Sequence, residues 1–227
     1  MSLRALLLTG TLSALAVPAI CAAPDGRARV LGFVPPASGT YELHRIMKAP
    51  DGPVLTVDGG VARLSQLTGD RITLLGFMYT SCMDPEGCPL AYRVFAQLED
   101  ELRAAPALAG KVQLVSLSFD PARDSPSVMK RYAGSRLEED GGVRWLFLTT
   151  PSVEELMPLV EGFGQDVRYS MDRSTGRPVR QLAHVLKVFL IDRAGYVREI
   201  YTSAFLYPQS IRADIETLLL EEGQAPP

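Results

Sequence analysis

Arg71-Ile72-Thr73-Leu74-Leu75-Gly76-Phe77-Met78-Tyr79 runs directly into Thr80-Ser81-Cys82-Met83-Asp84-Pro85-Glu86-Gly87-Cys88-Pro89, and how these residues read decides the fold. The first nine are short and almost continuously apolar, the pattern of a central strand covered on both faces. From Pro89 to Ala104, Leu90, Val94, Leu98 and Leu102 recur every fourth residue with charged residues between them, which predicts an amphipathic helix. A buried strand, a cysteine loop and a helix are therefore contiguous.

On a single helix, Cys82 and Cys88 would point about 240° apart at ~100° per residue, so a turn has to bring them together. Asp84-Pro85-Glu86-Gly87 supplies one, with Pro at the second and Gly at the fourth position of a type I turn. Pro89 suits the first helical position, which places Cys88 at the N-cap beside unsatisfied amides and the positive end of the helix dipole. A thiolate is favoured there, and metal binding and disulfide exchange both use deprotonated sulfur. A structural disulfide is the third reading. It gains least when the closed loop is short, as this five-residue one is.

Outward from this segment, Val112–Phe119 and Trp145–Thr149 read as strands, and Ser125–Arg136 and Val153–Phe163 as helices, an alternation that implies parallel β-α-β units. Asp172 to Gln181 is polar. His184–Ile191 and Tyr196–Tyr201 then flank Asp192-Arg193-Ala194-Gly195 as a hairpin, and a last helix covers Pro208–Glu222. Upstream, Tyr41–Met47 and Pro53–Val57 flank Ala49-Pro50-Asp51-Gly52, which predicts an added N-terminal hairpin. The expected fold is α/β and thioredoxin-like, a central mixed sheet flanked by helices.

The chain has 227 residues, enough for one domain with a substantial core, and its net charge of −3 gives no reason to expect nucleic acid. Residues 1–23 carry Arg4, then an uncharged run from Ala5 to Ile20, then the small residues of Cys21-Ala22-Ala23, which reads as a secretory signal or an uncleaved anchor. Ile20 before Cys21 is too bulky for a lipid-attachment signal. Residues 24–40 read as a flexible leader, 41–222 as the folded domain and 223–227 as a tail. The expected location is periplasmic or otherwise extracytoplasmic, with membrane contact only if the N-terminus stays uncleaved. Once the signal is removed, Cys82 and Cys88 are the only cysteines left, in an oxidising compartment.

His184 opens an apolar strand directly after a polar loop, a position that suits a ligand as well as a hydrogen-bonded strand end. The other histidine, His44, lies early in the N-terminal hairpin and reads as an ordinary surface residue.

Taken together, Gly76 to Cys82, Cys88-Pro89, the Ser118-Phe119-Asp120-Pro121-Ala122-Arg123-Asp124-Ser125-Pro126 stretch and His184 with Phe189-Leu190-Ile191-Asp192 resemble the SCO/SenC family of copper-binding, thioredoxin-like cytochrome oxidase assembly proteins. The resemblance spans about Tyr41 to Glu222. It implies that Cys82, Cys88 and His184 bind copper, as Cu(I) and also as Cu(II). It further implies a metallochaperone, not an enzyme, that delivers copper to a cuproenzyme subunit such as the binuclear site of a respiratory oxidase. Its other partners would be a second copper carrier or a thiol reductant. The alternative is a thiol-disulfide oxidoreductase that uses Cys82 and Cys88 to reduce a metal-receiving partner. Family members usually have three residues between the cysteines where this chain has five, which brings Met83 and Asp84 into question as further donors. The Asp120–Pro126 stretch is expected in a loop near the site, with turn and capping duty and no ligand role, Ser125 being the N-cap and Pro126 the first helical residue.

Overall fold

The computed structural model describes residues 32–137, 142–172 and 179–223. The proposed signal segment, residues 24–31 of the leader and the last four residues lie outside them. The strands are β1 (Met47–Lys48), β2 (Pro53–Thr56), β3 (Val61–Arg63), β4 (Ile72–Met78), β5 (Val112–Ser118), β6 (Arg144–Thr149), β7 (Val167–Asp172), β8 (Val179–His184), β9 (Lys187–Ile191) and β10 (Tyr196–Thr202). The helices are α1 (Leu64–Thr68), α2 (Cys88–Arg103), α3 (Pro106–Ala109), α4 (Pro126–Ala133), α5 (Val153–Gly162) and α6 (Pro208–Glu221), with one 3₁₀ turn at Gly134–Leu137. Eight strands form one sheet in the order β1-β10-β9-β4-β5-β6-β2-β3, and β7 pairs with β8 in a separate ribbon.

Every residue of β4 is buried, as its apolar run predicts. Its side chains alternate between two cores because successive residues of a strand point to opposite faces. Ile72, Leu74 and Met78 join the cluster built with Leu90, Leu98 and Leu102 of α2 and with Ile211, Ile215 and Leu218 of α6. Leu75 and Phe77 join the other, with Leu64 of α1 and Leu156, Leu159 and Val160 of α5. At Gly76 the absent side chain leaves room for Phe95 of α2, whose Cζ would lie 3.3 Å from a Cβ there. β4 pairs in parallel with β5, and β5 with β6, while β9 lies antiparallel on the other side of β4. The mixed, helix-flanked sheet and its closing β9–β10 hairpin match the architecture read from the sequence.

The N-terminal hairpin lies one step downstream of its predicted position. β1 pairs with β10, whereas β2 pairs with β3 and β6, so Tyr41–Met47 and Pro53–Val57 are not partners. The turn is made at Val57–Gly60, where Gly59 has φ +82° and the Gly59 amide donates to the Thr56 carbonyl at 2.9 Å. Pro50 and Gly52 look like turn residues but serve packing against α5. A Cβ on Gly162 would lie 2.6 Å from Pro50 Cγ, and one on Gly52 would lie 3.2 Å from Leu159 Cδ2.

Ahead of β1 the chain is tied to α6: the Ser38 hydroxyl donates to Glu216 Oε2 at 2.6 Å and the Gly39 amide to Thr217 Oγ1 at 2.9 Å. Among the described residues no helix is long and apolar enough to cross a membrane.

Gly162→Ala would help an exposed helix by up to about 1 kcal/mol. Against the rigid Pro50 ring it is expected instead to lower unfolding stability by about 1–3 kcal/mol, read as a lower urea midpoint.

Candidate metal centre

Past Met78 the chain leaves the sheet and folds through two tight turns. The Cys82 amide donates to the Tyr79 carbonyl at 3.2 Å, and the Gly87 amide to the Asp84 carbonyl at 3.0 Å, closing the predicted Asp84–Gly87 turn. Asp84 Oδ1 accepts from the Glu86 amide at 3.1 Å, so this carboxylate is turned onto its own loop. The Gly87 carbonyl then accepts the first helical bonds, from the Leu90 and Ala91 amides at 3.0 and 3.2 Å. Gly87 is therefore the N-cap and Cys88 the first helical residue, so the helix begins one residue earlier than the sequence suggests. Cys88 still sits beside the free amides of the α2 N-terminus.

The loop after β5 holds this segment in place. Asp124 is 1% exposed, and its carboxylate accepts from the Ser118 hydroxyl at 2.6 Å, the Thr80 hydroxyl at 2.5 Å and the Thr80 amide at 3.0 Å. Ser125 stands at the N-cap of α4 and Pro126 is its first residue, as predicted, but the Ser125 hydroxyl makes no capping bond to the backbone and lies 3.1 Å from the Ser127 hydroxyl. Reading the sequence as turn chemistry alone missed the tether from Asp124 to Thr80, two residues before Cys82.

His184 reaches the cysteines from an unforeseen direction. It does not open the apolar strand; it ends β8, opposite Val167 of β7, and the apolar strand β9 begins at Lys187. The missed signal is the alternation of Val167, Tyr169 and Met171 with Arg168, Ser170 and Asp172, which the polar composition of the following segment outweighs. The imidazole is set between rings: its centroid lies 4.7 Å from Phe119 and 6.2 Å from Tyr79, both edge-to-face. Neither Tyr79 nor Phe119 was singled out as an orienting residue from sequence.

Cys88 Sγ lies 3.7 Å from His184 Nε2, and the donor atoms of Cys82, Cys88 and His184 all lie within 4.8 Å of one another. Both cysteines are free thiols, Cys88 buried and Cys82 half-buried. Among the described residues this is the one cluster of three metal-donor groups. Met83 stands outside it, 88% exposed, and His44 is exposed beside Glu42 at 3.6 Å. The longer loop thus adds no donor in this conformation.

The two sulfurs differ in protonation. Hydrogen bonding from Cys88 lowers the Cys82 thiol well below its ordinary range, aided by His184 and by the Cys88 and Asp84 amides and opposed by burial. The same bond, together with burial and the adjacent negative sulfur, raises Cys88. Near neutral pH the pair shares one proton, held by the buried sulfur, with the thiolate on the accessible one. Two sulfurs and an imidazole form a soft donor set with no fourth protein ligand, unlike the closed tetrahedron of structural zinc.

The SCO1/SenC family model matches residues 54–220. Similar solved structures include a SCO1/SenC family lipoprotein from Bacillus anthracis, with TM-score 0.61 and 24% identity, covering 76% of this chain and 95% of that one. Bradyrhizobium japonicum ScoI with copper bound gives TM-score 0.57 at 21% identity over 76% of this chain and 99% of that one. BsSco, described as carrying a disulfide switch and as a member of the Sco family of cytochrome c oxidase assembly proteins, gives TM-score 0.57 at 23% identity over 76% and 93%. No curated protein sequence matches the chain significantly.

Asp124→Asn leaves one acceptor oxygen where the three donors need two. It is expected to cost about 2–3 kcal/mol in denaturant unfolding and to weaken metal affinity by roughly 10–100-fold in a chelator competition.

The lowered Cys82 thiol has its own signature. A group whose folded value is depressed adds stability that is complete above its unfolded value and shrinks as pH falls toward the folded one. The reduced, metal-free protein should therefore gain stability from about pH 5 to about pH 8, and Cys82→Ser should flatten that slope in melts across this range.

Proposed function

Because the chain belongs to the SCO1/SenC family, we propose that it is an extracytoplasmic copper carrier that binds the ion through Cys82, Cys88 and His184 and passes it to a cuproenzyme subunit. The observation that carries this reading is the convergence of two thiols and one imidazole within 4.8 Å at the end of β4 and the start of α2. Two sulfurs and a nitrogen suit Cu(I), and the imidazole nitrogen is a donor that Cu(II) also takes. A three-donor site also leaves the ion open to an incoming ligand, so a recipient can attach before a resident sulfur leaves. The half-buried Cys82 is the sulfur such a ligand reaches first, while Cys88 and the ring-packed His184 keep the ion from solvent.

The relatives point the same way: one is solved with copper bound, and another is described as belonging to a family of cytochrome c oxidase assembly proteins. The recipient in this reading is the binuclear copper site of a respiratory oxidase, and the donor a second copper carrier. Residues 1–23 export the chain and residues 41–222 form the functional domain, the N-terminus acting as an anchor where it is not cleaved. One relative described as a lipoprotein accords with a place outside the cytoplasm.

A second reading has its own support. An accessible thiolate on Cys82 beside a protonated, buried Cys88 is the asymmetry of a nucleophile and its resolving partner, and BsSco is described as carrying a disulfide switch. In that reading the protein reduces the cysteines of a metal-receiving partner, and His184 has no assigned task.

Residues 24–227, reduced, should bind one equivalent of Cu(I). Cys82→Ala, Cys88→Ala and His184→Ala should each weaken binding by more than the roughly 100-fold that outer-sphere changes cost. Normal copper binding by His184→Ala, with disulfide reductase activity lost only in the cysteine variants, would give the function to thiol exchange.

A further inference from the structure

Away from the sulfurs, a cavity of about 280 Å³ lies between β10, the start of α6 and the stretch before β1. Its walls include Phe33 and Phe205, which are 47% and 62% exposed, and its base carries Asp214 and Glu199. Asp214 Oδ1 accepts from the Tyr41 hydroxyl and Oδ2 from the Tyr201 hydroxyl, each at 2.5 Å. Glu199 Oε1 accepts only from the Ile200 amide, at 2.8 Å. These donors satisfy oxygens but carry no charge. Burial, with Asp214 adjacent, pushes the Tyr41 hydroxyl up to about 12 and Tyr201 well above the usual tyrosine range, so both stay protonated near neutral pH.

Two carboxylates therefore share an apolar-walled pocket, and among the described residues neither is ion-paired with a Lys, Arg or His. The cations closest in sequence are engaged elsewhere. Arg198 bonds Asp192, Glu221 and the Leu43 carbonyl, and Arg212 bonds Glu216. Burial holds both carboxyls above the ordinary range, the expected result of like charges in a poorly solvated place without a counter-ion. A further polar group is left over: Ser210 Oγ lines the pocket, is buried and has no hydrogen-bond partner among the described residues.

We propose that this pocket binds an organic cation, an ammonium or guanidinium group on an apolar stem. The carboxylates would take its N–H donors in charge-assisted bonds, and the Ser210 hydroxyl would offer another acceptor. Aromatic faces attract such a cation within about 6 Å and also cover its stem. A divalent metal ion fits poorly, because it wants about six or more oxygen ligands and the pocket wall is largely aromatic, proline and aliphatic. The volume lies just below the roughly 300–1,000 Å³ of small-molecule sites and suits a single side-chain-sized group. The same chemistry comes from a free amine or from a Lys or Arg side chain displayed by another protein.

The test titrates the full chain with n-butylguanidinium ion, with the neutral n-butylurea, and with the capped peptide acetyl-Ala-Arg-Ala-amide, followed by NMR and calorimetry. The cation or the peptide should saturate, and n-butylurea should not. Glu199→Gln and Asp214→Asn should each weaken binding about tenfold, and Phe205→Ala, at the exposed rim, about threefold. Should Asp214→Asn fail to fold, Glu199→Gln and Phe205→Ala carry the test. Cys82→Ala should bind like wild type, which separates this site from the metal centre. Binding of the peptide alone assigns the occupant to a partner protein, and equal binding of the free ion assigns it to a small amine. Failure of both cations, equal binding of n-butylurea, or unchanged affinity in Glu199→Gln would overturn the proposal.

Discussion

The Asp124 carboxylate takes hydrogen bonds from the Ser118 hydroxyl and from both the amide and the hydroxyl of Thr80, in a place 1% exposed to solvent. A buried carboxylate without a cation persists only when its lone pairs are met, and here they are met by groups at the ends of two adjacent parallel strands. β4 and β5 are thereby joined at the point where the chain leaves the sheet toward Cys82. The turn at Asp84–Gly87, the start of α2 and the position of Cys88 all follow from where that exit is held. Phe119, directly after β5, belongs to the same arrangement, because it supplies one of the rings that orient His184.

The elements legible in the sequence were those whose burial is dictated locally. β4 carries a continuous apolar run and α2 a four-residue period, and Ile72 to Met78 as well as Leu90, Val94, Leu98 and Leu102 are buried. Cys82, Cys88 and His184 stood out as well, since only two histidines and three cysteines occur in the whole chain. What failed was pairing. Pro50 and Gly52 have the composition of a turn, yet their fixed or small shapes answer to α5, Pro50 to Gly162 and Gly52 to Leu159, more than 100 residues away in sequence. No local pattern reports such a contact. The direction of His184 was hidden for a similar reason: a two-stranded ribbon outside the main sheet lacks the continuous apolar run that marks a covered strand.

The five-residue spacing of the cysteines takes on a plain physical meaning. Asp84-Pro85-Glu86-Gly87 closes as a self-contained turn, with Asp84 bonded to its own loop and Met83 pointing into solvent. This turn brings Cys88 to the start of α2. Copper carriage and thiol exchange therefore rest on the same pair of sulfurs, one accessible and one covered. They part at His184, which only the first of them needs.

Cys88 and His184 are 96 residues apart in sequence, and the histidine is carried on a ribbon that shares no backbone ladder with the main sheet. An ion held by all three donors acts as a cross-link, removing conformations from the unfolded chain much as a bridge over a long loop does. Metal and fold are then thermodynamically linked: the metal-loaded protein resists unfolding and proteolysis, and loss of the ion returns it to a looser form. A cell that clears loosely folded proteins would, through this one ribbon, remove metal-free copies before metal-loaded ones.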